Sequence, residues 1–296
     1  MADRREEAEL SELQDGSSLP ALRDPVMLAA FEGWNDAGEA ASGAVAHLQH
    51  VWQASPIAEF DPEAYHDFQV NRPVVSIEDG RRRLTWPTTR VYIASPPGAA
   101  RDVVLVRGIE PSMRWRAFVA ELLGIAEELG VSTLITLAAL LADVPHTRPI
   151  PVTGTSEDEG LQERLGIESS PYEGSTGIVG VLQDGATAVG LAGLALWAAV
   201  PHYVGQPPSP KATLALLRRV EEALDVTVPL GDLPEDARAW EHGVDELAEE
   251  DGEIGAYVRQ LEDAKDTAEL PEASGEAIAR EFERYLRRRG DEPGRG

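Results

Sequence analysis

Four short, mainly apolar runs, spaced along the chain by helix-like and turn-rich segments, constrain this sequence more than any other feature. They are VMLAAF from Val26, DVVLV from Asp102, VSTLITL from Val131 and GLAGLALWAAV from Gly190. Apolar residues without polar alternation suit strands covered on both faces, the environment of a parallel sheet. After the first run, Asp36 stands at an N-cap-like place before AGEAASGAVAHLQHVWQ, whose Ala/Val/Leu spacing is helical. WRAFVAELLGIAEELG, closed by Gly130, and SPKATLALLRRVEEALD, with Pro210 in its first turn, read as two further helices. Strands alternating with helices of this length predict an α/β layered fold with a mainly parallel sheet.

The remaining segments attach to that frame. PVVSIEDG, RRRLTW and RVYIAS predict antiparallel strands joined to the main sheet, with Asp79-Gly80 as a hairpin turn. ADVPHTRPIPVTGTS carries enough Pro and Gly to predict an irregular connection. A helix is expected over Asp158 to Leu165, and GIVGVLQDGATAVG leans to helix in its first half. After Leu230 the chain turns polar and strand-free. EDARAWEHGVDELAEEDGEIGAYVRQLEDAKD and SGEAIAREFERYLRRRG predict helices packed on the α/β body. The expected organisation is a flexible acidic extension (1–21), an α/β core domain (22–230), a C-terminal helical region (231–290) and a disordered tail (291–296).

Composition limits function. The chain has 296 residues, 52 Asp+Glu against 26 Lys+Arg, a formal charge of −26 and no Cys. Such a charge repels phosphate polymers and anionic bilayers at long range, so nucleic acid and membrane are not expected partners. Disulfides and thiolate chemistry are excluded. The most apolar stretch, Gly190 to Val200, is about half the ~20 residues of a membrane helix. The N-terminal MADRREEAELSELQDGSS has no apolar core of signal-peptide length, and a cytoplasmic location is expected. Much of the acid falls in the N-terminal extension and after Leu230, which leaves the α/β body nearer balance.

Ligands of open parallel sheets bind beyond the carboxyl ends of the strands. Applied to the four runs, that rule gathers Asn35 and Asp36, Glu110, His146 and Arg148, and His202 and Tyr203 at one edge. These seven form the candidate ligand pocket. Five of them also have a structural reading: Asp36 as a helix cap, Glu110 before Pro111 as a helix start, Arg148 as the ion-pair partner of acids at opposite strand ends, and His202 with Tyr203 as a satisfied polar pair. If the crevice is catalytic, His146 or His202 is the general acid/base and Arg148 an anion clamp. No dinucleotide fingerprint, phosphate loop, nucleophile elbow or zinc motif is present, so no cofactor and no metal is expected. Only Lys211 and Lys265 represent lysine.

In order along the chain stand FEGWNDAGEAAS, YHDFQVNRP, WP, GIEPSMRWRAF, ADVPHTRPIPVTG, SPYEGSTGI, LWAAVPHYV, PPSPKATLALL and AREFERYLR. Together they closely resemble the actinobacterial branch of the proteasome assembly chaperone family, second chaperone type, from about Leu22 to Leu286. The resemblance implies an α/β/α sandwich similar to the phosphorylase and peptidyl hydrolase group of folds. It implies a non-enzymatic, chaperone-like assembly protein, a homo-oligomer, and by analogy a proteasome subunit as partner. Two departures from the eukaryotic chaperones stand out: the acidic helical region after Leu230, and an ending, DEPGRG, without a hydrophobic-Tyr-X tail. The residues themselves leave open the alternative of a protein binding a small anionic ligand, or a hydrolase- or phosphorylase-like enzyme, at the strand ends.

Overall fold

The computed structural model describes residues 21–78 and 80–269. The N-terminal extension up to residue 20, Asp79 of the predicted turn, the predicted helix SGEAIAREFERYLRRRG and the tail DEPGRG lie outside the described residues. The strands are β1 (Val26–Glu32), β2 (Ser55–Glu59), β3 (Val74–Glu78), β4 (Arg81–Thr85), β5 (Thr89–Ala94), β6 (Val103–Ile109), β7 (Thr133–Ala142), β8 (Val152–Thr155) and β9 (Ala192–Pro201). The helices are α1 (Ala40–Val51), α2 (Pro62–Tyr65), α3 (Trp115–Glu128), α4 (Glu159–Leu165), α5 (Ile178–Ala188), α6 (Pro210–Leu224), α7 (Leu233–Glu250) and α8 (Gly252–Glu269).

Seven strands form one sheet in the order β2-β5-β6-β1-β7-β9-β8. Its four central strands, β6, β1, β7 and β9, are mutually parallel and correspond to the four apolar runs. The flanking strands β5, β2 and β8 pair antiparallel. Successive side chains of a strand point to opposite faces, and β1 shows the consequence. Val26, Leu28 and Ala30 enter a core shared with α1 and α6, whereas Met27, Ala29 and Phe31 enter a second core with α3 and α5. Helices therefore cover both faces, giving the α/β fold expected. Phe118 of α3 anchors the second core, tilted on Phe60 and edge-on to Phe31 and Tyr65. Each such fully buried side chain contributes roughly 1.5–3 kcal/mol.

Three expectations need correction. The β3–β4 hairpin is not part of the main sheet but forms a separate two-stranded sheet. No residue of either strand is buried, since the pair offers no wholly apolar face and Arg81, Arg82 and Arg83 resist burial between layers. The connection read as irregular contains β8, an edge strand, whose pairing starts just after Pro151, where proline no longer removes a donor. The helix predicted for half of GIVGVLQDGATAVG runs from Ile178 to Ala188.

The polar segment after Leu230 forms α7 and α8. Ala237, Val244, Val258 and Leu261 are their buried positions, and α7 packs on α6 while α8 packs on α7.

Candidate functional site

The parallel strands end at Glu32, Ile109, Ala142 and Pro201, and the chain beyond each end delivers the predicted residues. Gly33, at φ +123, turns the chain away from β1 in a conformation that favours glycine. Asn35 still joins the sheet edge, its carbonyl accepting from Ala139 N at 2.8 Å. Its side-chain Nδ2 donates to Glu110 Oε1 at 3.0 Å, and the same oxygen accepts from Ile178 N at 2.9 Å. Glu110 therefore does not start the helix after Pro111. That helix, α3, begins at Trp115, and the carboxylate instead sits on the N-terminus of α5, where a negative charge is favoured. Gly177 makes this possible: a Cβ there would lie 2.1 Å from Asn35 Nδ2.

Asp36 is separate from that pair. Its Oδ1 accepts from Ala41 N at 2.7 Å and Ser42 N at 3.3 Å, so it caps α1. Burial pushes the Asp36 carboxyl above its ordinary value, against the pull of these donors and Ser42.

His146, Arg148, His202 and Tyr203 meet at the seam between the strand ends and the C-terminal helices. His146 is fully buried. Tyr203 Oη lies 2.7 Å from both His146 N and His146 Nδ1, and His146 Nε2 lies 3.0 Å from Asp245 Oδ1 on α7. For a neutral imidazole one assignment satisfies every atom. The hydroxyl accepts from the backbone N–H and donates to Nδ1, and Nε2–H donates to Asp245. Burial pushes the Tyr203 hydroxyl up to about 12, which keeps it protonated for that role. Lys211 donates to the His146 carbonyl and pairs with Glu241 of α7 at 2.8 Å.

Arg148 does not neutralise acids at the opposite strand ends. Its Nε and Nη2 grip the two oxygens of Asp266 at 3.0 and 2.8 Å, and its Nη1 donates to Glu262 at 3.2 Å. Both acids belong to α8, and the guanidinium holds the Asp266 carboxyl below its ordinary value. His202 Nδ1 lies 3.3 Å from Asp143 Oδ1, which also accepts from Tyr257 Oη at 3.0 Å. The rings of His202, Tyr203 and Tyr257 pack edge-on, with centroids 5.3–6.0 Å apart. Loop residues 143–148 and 202–203 thus latch α7 and α8 onto the sheet edge.

Two clefts border this region. One of about 310 Å³ lies between α7, α8 and His146, lined by Asp245, Glu246, Glu249, Arg259 and Glu262. A second, of about 630 Å³, is lined by Glu32, His47, Arg107, Thr213 and Trp240 among others. Of the seven predicted residues, His146 alone lines either cleft. Among the described residues no group of three or more His, Asp or Glu side chains is placed to hold a metal ion. No described helix is long and apolar enough to cross a membrane. Around the same edge, Trp34 is 67% exposed and Leu141 54%. Asp245, Glu262 and Asp266, the partners of His146 and Arg148, carried no signal in the sequence because they lie in a run where nearly every turn has an acid. Lys211 did carry one, as one of two lysines in an acidic chain.

The family model described as the PAC2 family matches residues 30–248. Among solved structures, a PAC2 family protein from Streptomyces avermitilis is 58% identical, with 79% of this chain and 100% of that chain covered and a TM-score of 0.75. A proteasome-assembly chaperone homologue from Mycobacterium tuberculosis is 55% identical, with 79% and 99% covered and a TM-score of 0.73. An archaeal proteasome activator from Pyrococcus furiosus, at 19% identity, 78% and 96% coverage and a TM-score of 0.62, shares the fold. No curated protein sequence matches the chain.

Proposed function

The chain belongs to the PAC2 family, and from that premise we propose that it is a non-enzymatic, chaperone-like binding protein that self-associates and engages a proteasome subunit. The partner is inferred from the solved relative described as a proteasome-assembly chaperone homologue. The observation that carries the reading is how the strand-end groups are engaged. Both ring nitrogens of His146, the Arg148 guanidinium and the Glu110 carboxylate are all taken up by partners within the chain. A general base or anion clamp needs reach to a substrate atom, and these groups reach α5, α7 and α8 instead. Large apolar side chains at the same edge, Trp34, Leu140 and Leu141, are exposed in the manner of a protein-binding surface. The reading places the protein in the cytoplasm, where a chain without Cys loses nothing to a reducing environment. Pull-down with purified proteasome subunits at physiological salt tests it: retention at micromolar concentration is expected, and no retention would overturn it.

A second reading keeps a small anionic ligand at Asn35, Asp36, Glu110, His146, Arg148, His202 and Tyr203. It is favoured by the cleft against His146, whose lining includes Arg259 as well as acids. A thermal-shift screen with nucleosides, phosphates and amino acids separates the two. A ligand shift abolished by Arg148→Ala would support the second reading, and no shift with any of them would remove it.

A further inference from the structure

The β3–β4 hairpin has properties that the fold does not require. Cross-strand pairing sets Val75 opposite Leu84 and Ile77 opposite Arg82, so these four share one face. That face is open: Ile77 is 78% exposed, and Val75 and Leu84 are close to half exposed. Arg82 and the neighbouring Arg81 are exposed at the tip. The other face is partly settled, since Arg83 pairs with Glu78 at 3.3 Å. At the base Trp86 packs against Phe68 with ring centroids 4.8 Å apart. A two-stranded sheet is marginal in water by itself, and an apolar face left to solvent makes it more so. The surface that would cover it must be both apolar and acidic.

The same chain displays such a surface. From residue 233 to 269 the sequence has thirteen acids against three bases, and from Asp245 to Glu253 six of nine residues are acidic with no base. Leu247 is an exposed apolar side chain in the middle of that corner between α7 and α8. The same corner holds the cleft of about 310 Å³, where Asp245, Glu246, Glu249 and Glu262 outnumber Arg259 and which has room enough for an arginine side chain. The hairpin and the corner are different patches of one chain, complementary in charge and in apolar character.

We infer that the β3–β4 hairpin is a docking arm for a second copy of this chain, seating Arg82 of the open face, with Arg81 beside it at the tip, against the acidic α7–α8 corner while Val75, Ile77 and Leu84 cover Leu247. Two different patches meeting make a head-to-tail contact, which closes into a ring or propagates as a filament. Opposite charge in the contact sets its register and makes it salt-sensitive. The inference rests on the self-association proposed above and gives it a surface.

Sedimentation and light-scattering mass of the full chain test it, at low salt and at roughly 0.5 M salt. The parent is expected as a multiple of the protomer mass, weakening at high salt. Arg81→Glu with Arg82→Glu should raise the apparent dissociation constant at least about tenfold with unchanged circular dichroism. Glu246→Arg with Glu249→Arg should do the same from the other side. All four substitutions in one chain should restore association, because the charges are then swapped across the contact, and that recovery excludes a simple folding defect. A parent that stays a single protomer at tens of micromolar overturns both self-association and the arm. An oligomeric parent whose mass is untouched by Arg81→Glu with Arg82→Glu overturns the arm alone. The arm is also overturned if those two substitutions abolish retention of proteasome subunits while leaving the oligomer intact, since the hairpin then faces that partner instead.

Discussion

Replacing His146 by Ala separates a latch from a catalytic base. The imidazole is fully buried, contacts Tyr203 Oη through Nδ1 at 2.7 Å, and contacts Asp245 through Nε2 at 3.0 Å. Truncating a buried ring of this size costs about 2 kcal/mol in lost packing. Each hydrogen bond adds about 1 kcal/mol. Asp245 is about half exposed and rehydrates when its partner is lost, so its share is smaller. The sum is about 3 kcal/mol, a fall in Tm of roughly 5 °C for a chain this size. The loss should be local before it is global. Native-state hydrogen exchange should quicken in α7 and α8, which the seam holds, well before the β1, β6 and β7 amides respond. Urea unfolding followed by circular dichroism gives the magnitude, and exchange by mass spectrometry gives the location. A loss below about 1 kcal/mol with unchanged exchange in α7 and α8 would refute the reasoning, because a ring that stabilises nothing is free for chemistry.

Glu110→Ala leaves the Asn35 amide and Ile178 N–H without their acceptor and should cost about 2–3 kcal/mol, whereas Glu110→Gln, which keeps an acceptor oxygen, should cost about 1 kcal/mol by chemical denaturation. Asp36→Asn should lie within about 1 kcal/mol of the parent at neutral pH, while Asp36→Ala loses the α1 cap and about 1–2 kcal/mol. Because burial raises the Asp36 carboxyl, its contribution is greatest below the ordinary Asp range and declines as pH rises through the raised value, and Asp36→Asn should flatten that slope. Asp102 behaves oppositely: hydrogen bonds from Arg23 hold it at about 2, so its contribution is present above the ordinary range near 3.8 and is lost as pH falls from there toward 2. Arg23 is 59% exposed, so solvent screens much of the pair, and Arg23→Ala should reduce that part of the acid loss in parallel pH titrations of stability.

The sheet was legible because burial on both faces leaves a plain mark: VMLAAF and its three counterparts are mainly apolar and lack the polar alternation of a one-sided strand. The hairpin was legible as a hairpin, but its detachment was not, since Val74 to Glu78 and Arg81 to Thr85 have strand composition wherever they sit. β8 was hidden by Pro149 and Pro151, which disfavour a central strand but not an edge that starts beyond them. At the site, the rule of strand ends placed the seven residues just beyond the strands and missed their partners. Asn35 and Glu110 are 75 positions apart and meet over Gly177, which no local pattern announces. Arg148 was expected to answer acids across the sheet edge and instead grips α8, because Glu262 and Asp266 are spaced one helical turn apart and face the same loop. Acid at nearly every turn of α7 and α8 concealed which carboxylates were engaged.

The central claim, that the strand-end edge binds protein while its polar groups hold the molecule together, comes down to one titration. Isothermal titration of purified proteasome subunits against the parent chain, against Trp34→Ser with Leu141→Ser, and against Glu110→Gln, a control that keeps the acceptor oxygen for Asn35 and Ile178, measures it directly. Binding in the micromolar range or tighter is predicted for the parent and the control, with the double substitution weakened at least about tenfold. No measurable heat for the folded parent, or equal affinity for all three chains, would contradict it.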